Sequence, residues 1–464
     1  MRLFNRYYSA FDLLLLAGDI TLTVAASVGT RALMAIAFVS EQPDWTKWII
    51  IGSVLACIVV FSFYYSDLYA LDQILSKREL LLRFATGFGI ACLIIGSVSY
   101  PIQEAGSQKI YLVQMLLMGL GLAAWRLMFV TMLRRVKARG KVLILGMQTI
   151  GRQVSEELCR QKHLGMKVIG FIGSQAGELT LSYGNPRQVC LPIFPRESIL
   201  AVVEANAVNR ILVAEGNGQF PGHDLIALRL MGIPIEDCHT FYERLMSKIS
   251  ITDLHPGWIA RSQGFCRTPW LVVTKRIIDL IVSALGLLLA APVALITAIA
   301  IKLDSSGPIL YRQERMGQHE RPFTLYKFRS MSDGAETRTG PVWAGQKDPR
   351  ITRVGRIIRK LRIDEIPQMF NVVKGEMSFV GPRPERPFFV FALNEKIPYY
   401  RLRFSVKPGL TGWAQVSCPY GDSEDDAIEK LQYDLYYVKN MCLMFDLQIL
   451  FETIKVIVLS RGAQ

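Results

Sequence analysis

The first third of the chain is written in long apolar runs. Four of them, at residues 11–38, 48–65, 80–102 and 110–133, are each long enough to cross a hydrocarbon core, which takes about 20 residues. Backbone polar groups must be satisfied internally at that depth, so the runs predict helices. Asp12, Asp19 and Arg31 interrupt the first run and are expected near helix ends or facing the bundle. From about residue 140 the pattern shortens. "KVLILG", "MKVIGFIG" and "RILVAEG" read as buried strands separated by helical stretches, the alternation of a small parallel α/β domain. A fifth apolar run, "KRIIDLIVSALGLLLAAPVALITAIAIKL", begins at Lys275 and carries Pro292 near its middle. Residues 304–440 are dense in Arg, Gly and Pro and read as soluble.

Charge orients these pieces. Arg2 and Arg6 precede the first run, "SKRELLLR" lies between the second and third, and "RRVKARGK" follows the fourth. The other two loops, "SEQPDWTK" and "QEAGSQK", carry little net charge, so both ends of the bundle are expected in the cytoplasm. A soluble four-helix bundle is the competing reading. The fifth run has Lys275 and Arg276 before it and Lys302 after it. Positive charge at both ends, and the parity of four preceding spans, favour a bent segment entering one leaflet over a crossing. Pro292 is the expected break, because proline removes a helix hydrogen bond and clashes with the preceding turn. The N-terminus lacks a small-residue cleavage site and reads as a retained membrane segment.

The 464 residues are 51% hydrophobic and carry a formal charge of +14. That length predicts two or three domains, and the basic excess predicts anionic partners. Eight cysteines are scattered without a C-x-x-C pair or zinc spacing, so neither a disulfide framework nor a metal knot is indicated. In the α/β region a dinucleotide fingerprint would need glycine at 146, 148 and 151, but position 148 is Gln, and the acid expected after the second strand is missing. Tight strand-to-helix packing explains Gly146 and Gly151 at least as well as NAD binding, so no nucleotide cofactor requirement is expected.

The chemistry concentrates in "LRIDEIPQMFNVVKGEMSFVGPRPERP", residues 361–387, where Asp364 and Glu365 stand side by side before a proline. Lys327, Arg329, Arg359, Arg362, Arg383 and Arg386 accompany them. Arginine forks match phosphate oxygens, and Mg²⁺ takes one or two carboxylates plus substrate phosphates. Pro367 predicts a helix starting near Asp364, its positive end facing a phosphate, and stopping at Gly375. A plain N-cap for Asp364 and a solvated basic face for the arginines remain open readings. The five histidines (163, 223, 239, 255, 319) are scattered, and Cys418 and Cys442 read as packing residues.

In the region 304–440, "YRQERMG", "LYKFRSM", "IIRKLRIDE", "FVGPRPERP", "VKPGLTGWAQV" and "LQYDLYYVKN" follow in order. With these motifs the stretch from Lys275 onward closely resembles the bacterial sugar transferases, the polyisoprenyl-phosphate hexose-1-phosphate transferases that initiate exopolysaccharide, capsule and O-antigen synthesis. Four N-terminal spans and a Rossmann-like domain resemble the large form of these enzymes. "CPYG", "EKLQYDLYYVKN" and the terminal "RGAQ" resemble the branch associated with exosortase exopolysaccharide loci. The resemblance implies a membrane α-helical bundle (1–136), an α/β Rossmann-like domain (137–262) and a monotopic α/β catalytic domain (267–464) with a re-entrant membrane helix at 275–303, broken at Pro292.

It also implies that Asp364 attacks the sugar-proximal phosphate of a UDP-sugar, that Glu365 supports Mg²⁺, and that Lys327, Arg359 and Arg383 bind substrate phosphate. UMP leaves, and polyprenyl phosphate then takes the phosphosugar at the cytoplasmic face of the bacterial inner membrane. Donor, acceptor and membrane lipid are the expected partners; no nucleic acid is expected, and the extra domains could hold a homodimer. Small members carry an arginine shortly after Trp-Ala-Gln-Val, where this chain has Pro419, so that recognition does not transfer. Two rival readings are a membrane-anchored nucleotide-sugar dehydratase or epimerase, and a non-catalytic polysaccharide-assembly scaffold. The first needs an intact glycine fingerprint and a Tyr-x-x-x-Lys relay, and neither is found in a plausible place. The intact Asp364–Glu365 pair argues against the second.

Overall fold

The computed structural model describes residues 2–3, 6–7, 10–38, 44–66, 68–69, 77–99, 108–136, 140–160, 165–182, 188–214, 222–252, 254–265, 267–332, 350–418 and 423–458. Each of the four N-terminal apolar runs is one helix: α1 (Ala10–Phe38), α2 (Trp45–Tyr65), α3 (Lys77–Ser99) and α4 (Gln108–Val136). Leu15, Val59, Phe63, Ala91, Met118, Leu122 and Phe129 pack between them. Asp19, Thr23 and Ser27 recur every fourth residue on α1, so they share one face, and that face is buried in the bundle. Asp19 pairs with Arg126 of α4 and accepts from Tyr69 Oη at 2.8 Å, while Arg126 Nη1 donates to Leu68 O at 2.8 Å. The acid expected to face the bundle does so. Arg31 lies over the Trp48 ring at 5.8 Å; the side chain of Asp12 is outside the described residues.

The α/β region is a six-stranded mixed sheet. Its strands are β1 (Gly140–Leu145), β2 (Met166–Gly173), β3 (Gly177–Ser182), β4 (Gln188–Pro195), β5 (Arg210–Val213) and β6 (Ile235–Asp237), in the order β3-β4-β2-β1-β5-β6. All neighbours are parallel except β3 and β4. The wholly buried run Val142–Leu145 explains why β1 sits centrally. Gly146 takes φ 95° after β1, a left-handed turn that favours glycine, and α5 (Thr149–Arg160) follows, with α6 (Ile199–Asn206) and α7 (Gly222–Leu230) flanking β5 in sequence. A Cβ on Gly151 would lie 3.1 Å from Ala214 Cβ and 3.2 Å from Ile144 Cγ2. Close helix–sheet approach therefore accounts for that glycine.

The chain divides into two compact units between Asp237 and Cys238, earlier than the 262–267 junction read from the sequence. The reason is packing. After α8 (Cys238–Met246), Ile249, Ile251 and Leu254 enter the core built by Trp413, Leu431, Leu435, Tyr437 and Phe445. Phe241, Tyr242 and Glu243 of α8 are buried, and Glu243 pairs with buried Lys439.

The fifth apolar run is α10 (Pro269–Asp304), after α9 (Pro256–Arg261). Pro292 lies inside this helix and does not end it. A proline costs one ladder bond, and a long helix can absorb that as a bend. The buried positions fall at two places, Asp279 with Ser283 and Thr297 with Ile301, whereas Leu288 and Leu289 between them are 71% and 77% exposed. Both ends are tied to this second unit. Arg276 donates to Val372 O (2.6 Å) and Val373 O (2.8 Å), and Asp279 accepts from Phe379 N at 3.0 Å. At the far end, Asp304 accepts from Val354 N at 3.0 Å, and Arg329 donates to Ser305 O at 2.8 Å. Among the described residues, α1–α4 and α10 contain the five stretches long and apolar enough to cross a membrane.

Candidate active site

Lys327 is carried on a hairpin, β7 (Leu310–Met316) and β8 (Pro322–Phe328). Residues two apart on a strand share a face. Leu325 packs with Val372 and Met377 of the neighbouring layer, so Lys327 emerges on the same side. The carboxamide of Asn371 serves as a substitute strand partner: its Nδ2 donates to Thr324 O at 2.7 Å, and its Oδ1 accepts from Tyr326 N at 3.2 Å. This fixes β8 against α12 (Gln368–Lys374).

Next comes α11 (Arg353–Lys360), capped by Thr352, whose hydroxyl accepts from Gly355 N at 2.9 Å. A Cβ at Gly355 would lie 1.9 Å from Ser330 O, so glycine lets the helix approach. Arg362 then adopts φ 57°, left-handed for a residue with a side chain. It ends α11 and starts a 3₁₀ turn, Ile363–Glu365, which presents the two acids. Ile363 and Ile366 join the apolar cluster formed by Ala294, Ala298 and Ile301 of α10 with Phe328 and Ile358. The helix after the dyad begins at Gln368, not at Asp364, because Pro367 occupies the cap position. Its stop at Gly375 (φ 89°) is as expected.

The two acids are used differently. Asp364 is buried, forms no side-chain cap and takes no hydrogen bond from a described residue. The N-cap reading is therefore excluded. Burial raises its carboxyl above the usual range; Lys327 opposes this, Glu365 adds to it, and Arg359 and Arg383 oppose it. Glu365 instead has three cationic side chains against it. Its Oε1 accepts from Lys327 Nζ at 3.2 Å and Arg383 Nη2 at 3.0 Å, and Arg362 Nη1 lies 3.6 Å from Oε2. Burial alone would raise Glu365, but Lys327, Arg383 and Arg362 together hold it well below the usual carboxylate range. Burial lowers the Lys327 amine, against the pull of Glu365.

The structure thus brings Lys327, Arg362 and Arg383 onto the dyad, with Arg359 acting on Asp364 through space. Arg329 faces elsewhere, bonding Ser305 at the end of α10. Arg386 occupies the cap position of α13 (Pro387–Lys396). Gln415, on α14 (Trp413–Ser417), accepts from Arg383 Nη1 at 2.8 Å. Sequence reasoning missed Gln415, although the Trp-Ala-Gln-Val motif contained it. His255 caps α9 through Nδ1. Burial pushes the Cys418 thiol up to about 11, unsuited to a nucleophile. His163 and Pro419 lie outside the described residues.

No group of three or more His, Cys, Asp or Glu among the described residues forms a metal cage. Mg²⁺ does not require one, since it keeps waters and takes phosphate oxygens beside one or two carboxylates. Asp364 offers carboxylate oxygens that take no hydrogen bond from a described residue, with Glu365 adjacent, so the pair is chemically compatible with such an ion.

Residues 270–460 match the family model described as bacterial sugar transferase. A Komagataeibacter xylinus undecaprenyl-phosphate glucose phosphotransferase is 32% identical over 405 residues, covering 83% of this chain and 72% of that protein. A Xanthomonas campestris pv. campestris UDP-glucose:undecaprenyl-phosphate glucose-1-phosphate transferase is 27% identical over 462 residues, 97% of this chain and 94% of that one. An Aeromonas hydrophila UDP-N-acetylgalactosamine-undecaprenyl-phosphate N-acetylgalactosaminephosphotransferase is 41% identical over 235 residues, 51% of this chain and 55% of that one.

Proposed function

Because the chain belongs to the bacterial sugar transferase family, we propose that it transfers a hexose-1-phosphate from a UDP-sugar to undecaprenyl phosphate, initiating exopolysaccharide synthesis. The observation that carries this reading is the asymmetric dyad: Asp364, which takes no hydrogen bond from a described residue, beside Glu365 held by Lys327 and Arg383. An Asp364 carboxylate oxygen attacks the sugar-proximal phosphorus, a P–O bond to the leaving phosphate breaks, and UMP departs. The phosphate oxygen of the polyprenyl acceptor then attacks the same phosphorus and expels Asp364, which regains its carboxylate. Lys327, Arg359 and Arg383 surround the reacting phosphoryl group and offset the charge that develops on it. Glu365 keeps Lys327 and Arg383 gathered there before the donor arrives. A Mg²⁺ ion, held by Asp364 and Glu365 with donor phosphate oxygens, would supply further charge neutralisation.

The acceptor is a lipid, and the contacts of α10 support a re-entrant position in the membrane. Arg276 and Asp304 bind elements of one unit, which supports placing both ends on one side of the bilayer. The exposed middle, around Leu288 and Leu289, dips into the leaflet as a re-entrant segment. Lys275, Arg276 and Lys302 at its ends favour the cytoplasmic face of the inner membrane. The parallel strands of the α/β region run β4-β2-β1-β5-β6, a succession that supports a Rossmann-like reading. The test is UMP release by the detergent-extracted protein, with Mg²⁺ and undecaprenyl phosphate, across a panel of UDP-sugars. Absence of UMP release with every donor, from folded protein, would refute the assignment.

A further inference from the structure

The loop that carries Arg383, residues 381–386, has a peculiar backbone. Pro382 and Pro384 have no N–H, so the loop cannot be pinned by donating from those positions. Gly381 N donates to Thr411 O at 2.9 Å, and beyond it the loop is held through its carbonyls. Pro382 O accepts from Gly409 N at 2.9 Å, and Arg383 O from Arg403 Nη2 at 3.0 Å. Pro384 O accepts from Arg315 Nη1 at 3.0 Å, and Glu385 O from Met316 N at 2.8 Å. The donor at Arg383 itself is thus a buried side chain, not a neighbouring strand. Arg403 is in turn fixed by Asp434 of α15 (Glu424–Asn440), 2.8 Å from Nη2, and by Tyr400 Oη, which accepts from Nη1 at 2.6 Å. Both charged side chains are almost wholly buried, at 6% and 2% exposure.

A buried ion pair is a weak source of net stability, because desolvation offsets most of its attraction. Here it has a geometric consequence. A planar fork locked on two sides directs its Nη2 at one carbonyl. That carbonyl belongs to the residue whose own guanidinium bridges Glu365 and Gln415. We propose that Arg403 and Asp434 are positioning residues. By anchoring the Arg383 carbonyl they set where the Arg383 guanidinium meets the donor's phosphates, although neither touches substrate. The proposal rests on the phosphate-binding role given to Arg383 above.

The test is UDP binding to the full-length protein in detergent, read by calorimetry as both Kd and stoichiometry. Arg403→Lys keeps a charge for Asp434 but loses the fork, and Asp434→Asn keeps shape but loses the charge. Each is expected to raise the UDP Kd by about 10-fold, within the range that an ångström-scale misplacement can cost, at unchanged stoichiometry. Arg383→Ala should raise it comparably, and adding Arg403→Lys to Arg383→Ala should change it little further, because coupled residues are not additive. An unchanged Kd in both Arg403→Lys and Asp434→Asn, at lower or unchanged stoichiometry, would mean a merely structural pair and would overturn the proposal. Full additivity in the double variant would do the same. Tyr400→Phe, which removes only one prop of Arg403, gives a milder version of the same readout if a charged variant does not fold. An unchanged Kd in Arg383→Ala would overturn the phosphate role of Arg383 itself, and is thereby distinguished from failure of the positioning step.

Discussion

Starting the chain at Arg267 rather than at Cys238 should separate a folded catalytic unit from a broken one. The segment removed by the shorter version contributes Ile249, Ile251 and Leu254, all buried in the core around Trp413 and Tyr437. Burying an aliphatic side chain of this size stabilises by about 1.5–3 kcal/mol. The same cut removes Glu243, leaving Lys439 buried without its carboxylate partner, which costs roughly 3–5 kcal/mol. It also removes the Ser247 carbonyl that accepts from Trp413 Nε1 at 2.8 Å and the Leu254 carbonyl that accepts from Tyr399 Oη at 2.7 Å. A domain's whole stability is about 5–15 kcal/mol, so these losses are comparable with all of it. The chain beginning at Cys238 is expected to melt cooperatively in detergent, resist limited proteolysis and release UMP. The chain beginning at Arg267 is expected to be digested readily and to show no cooperative transition. If the two melt within about 2 °C of each other, a shift worth about 0.5–1 kcal/mol for a unit of this size, the assignment of residues 238–261 to this core is wrong.

Three further outcomes follow from the site and the membrane helix. Asp364→Asn should lower UMP release by at least about 10³-fold, with an unchanged melting curve, since Asp364 caps no helix; near-normal turnover would remove it from the chemistry. Arg359→Ala should move the acid limb of the rate profile to higher pH. Burial already raises Asp364 and Arg359 opposes that rise, so without the arginine Asp364 stays protonated, and unable to attack, to a higher pH. An acid limb that stays put or moves down would contradict the electrostatics. Single cysteines introduced at Lys275 and at Lys302 should both be labelled only from the cytoplasmic side in intact cells. Labelling of the Lys302 position from the periplasm would make α10 a crossing and end the one-sided site.

The hydrophobic pattern by itself determined the helices of the bundle, the strands around Val142, Val168 and Ile211, and the stop at Gly375. These depend on local periodicity and on a residue that tolerates positive φ. The motif order similarly indicated Asp364, Glu365, Lys327 and Arg383 as neighbours. Only the tertiary structure decided how the two acids differ. Their one-residue offset on a 3₁₀ turn aims Glu365 at Lys327 and Arg383, which come from segments 38 and 18 residues away. No local pattern encodes that pairing. The same holds for Ile249 and Leu254, apolar residues that the sequence reading assigned to the Rossmann-like domain (137–262), whereas the core they fill is assembled from α14 and α15. It holds for Arg403 and Asp434 as well, because a buried charge is recognisable only when its partner is seen beside it, and sequence records composition without proximity. Pro292 shows the converse. Its breaking tendency is local and real, yet anchoring of Arg276 at one end of α10 and Asp304 at the other is compatible with one unbroken helix.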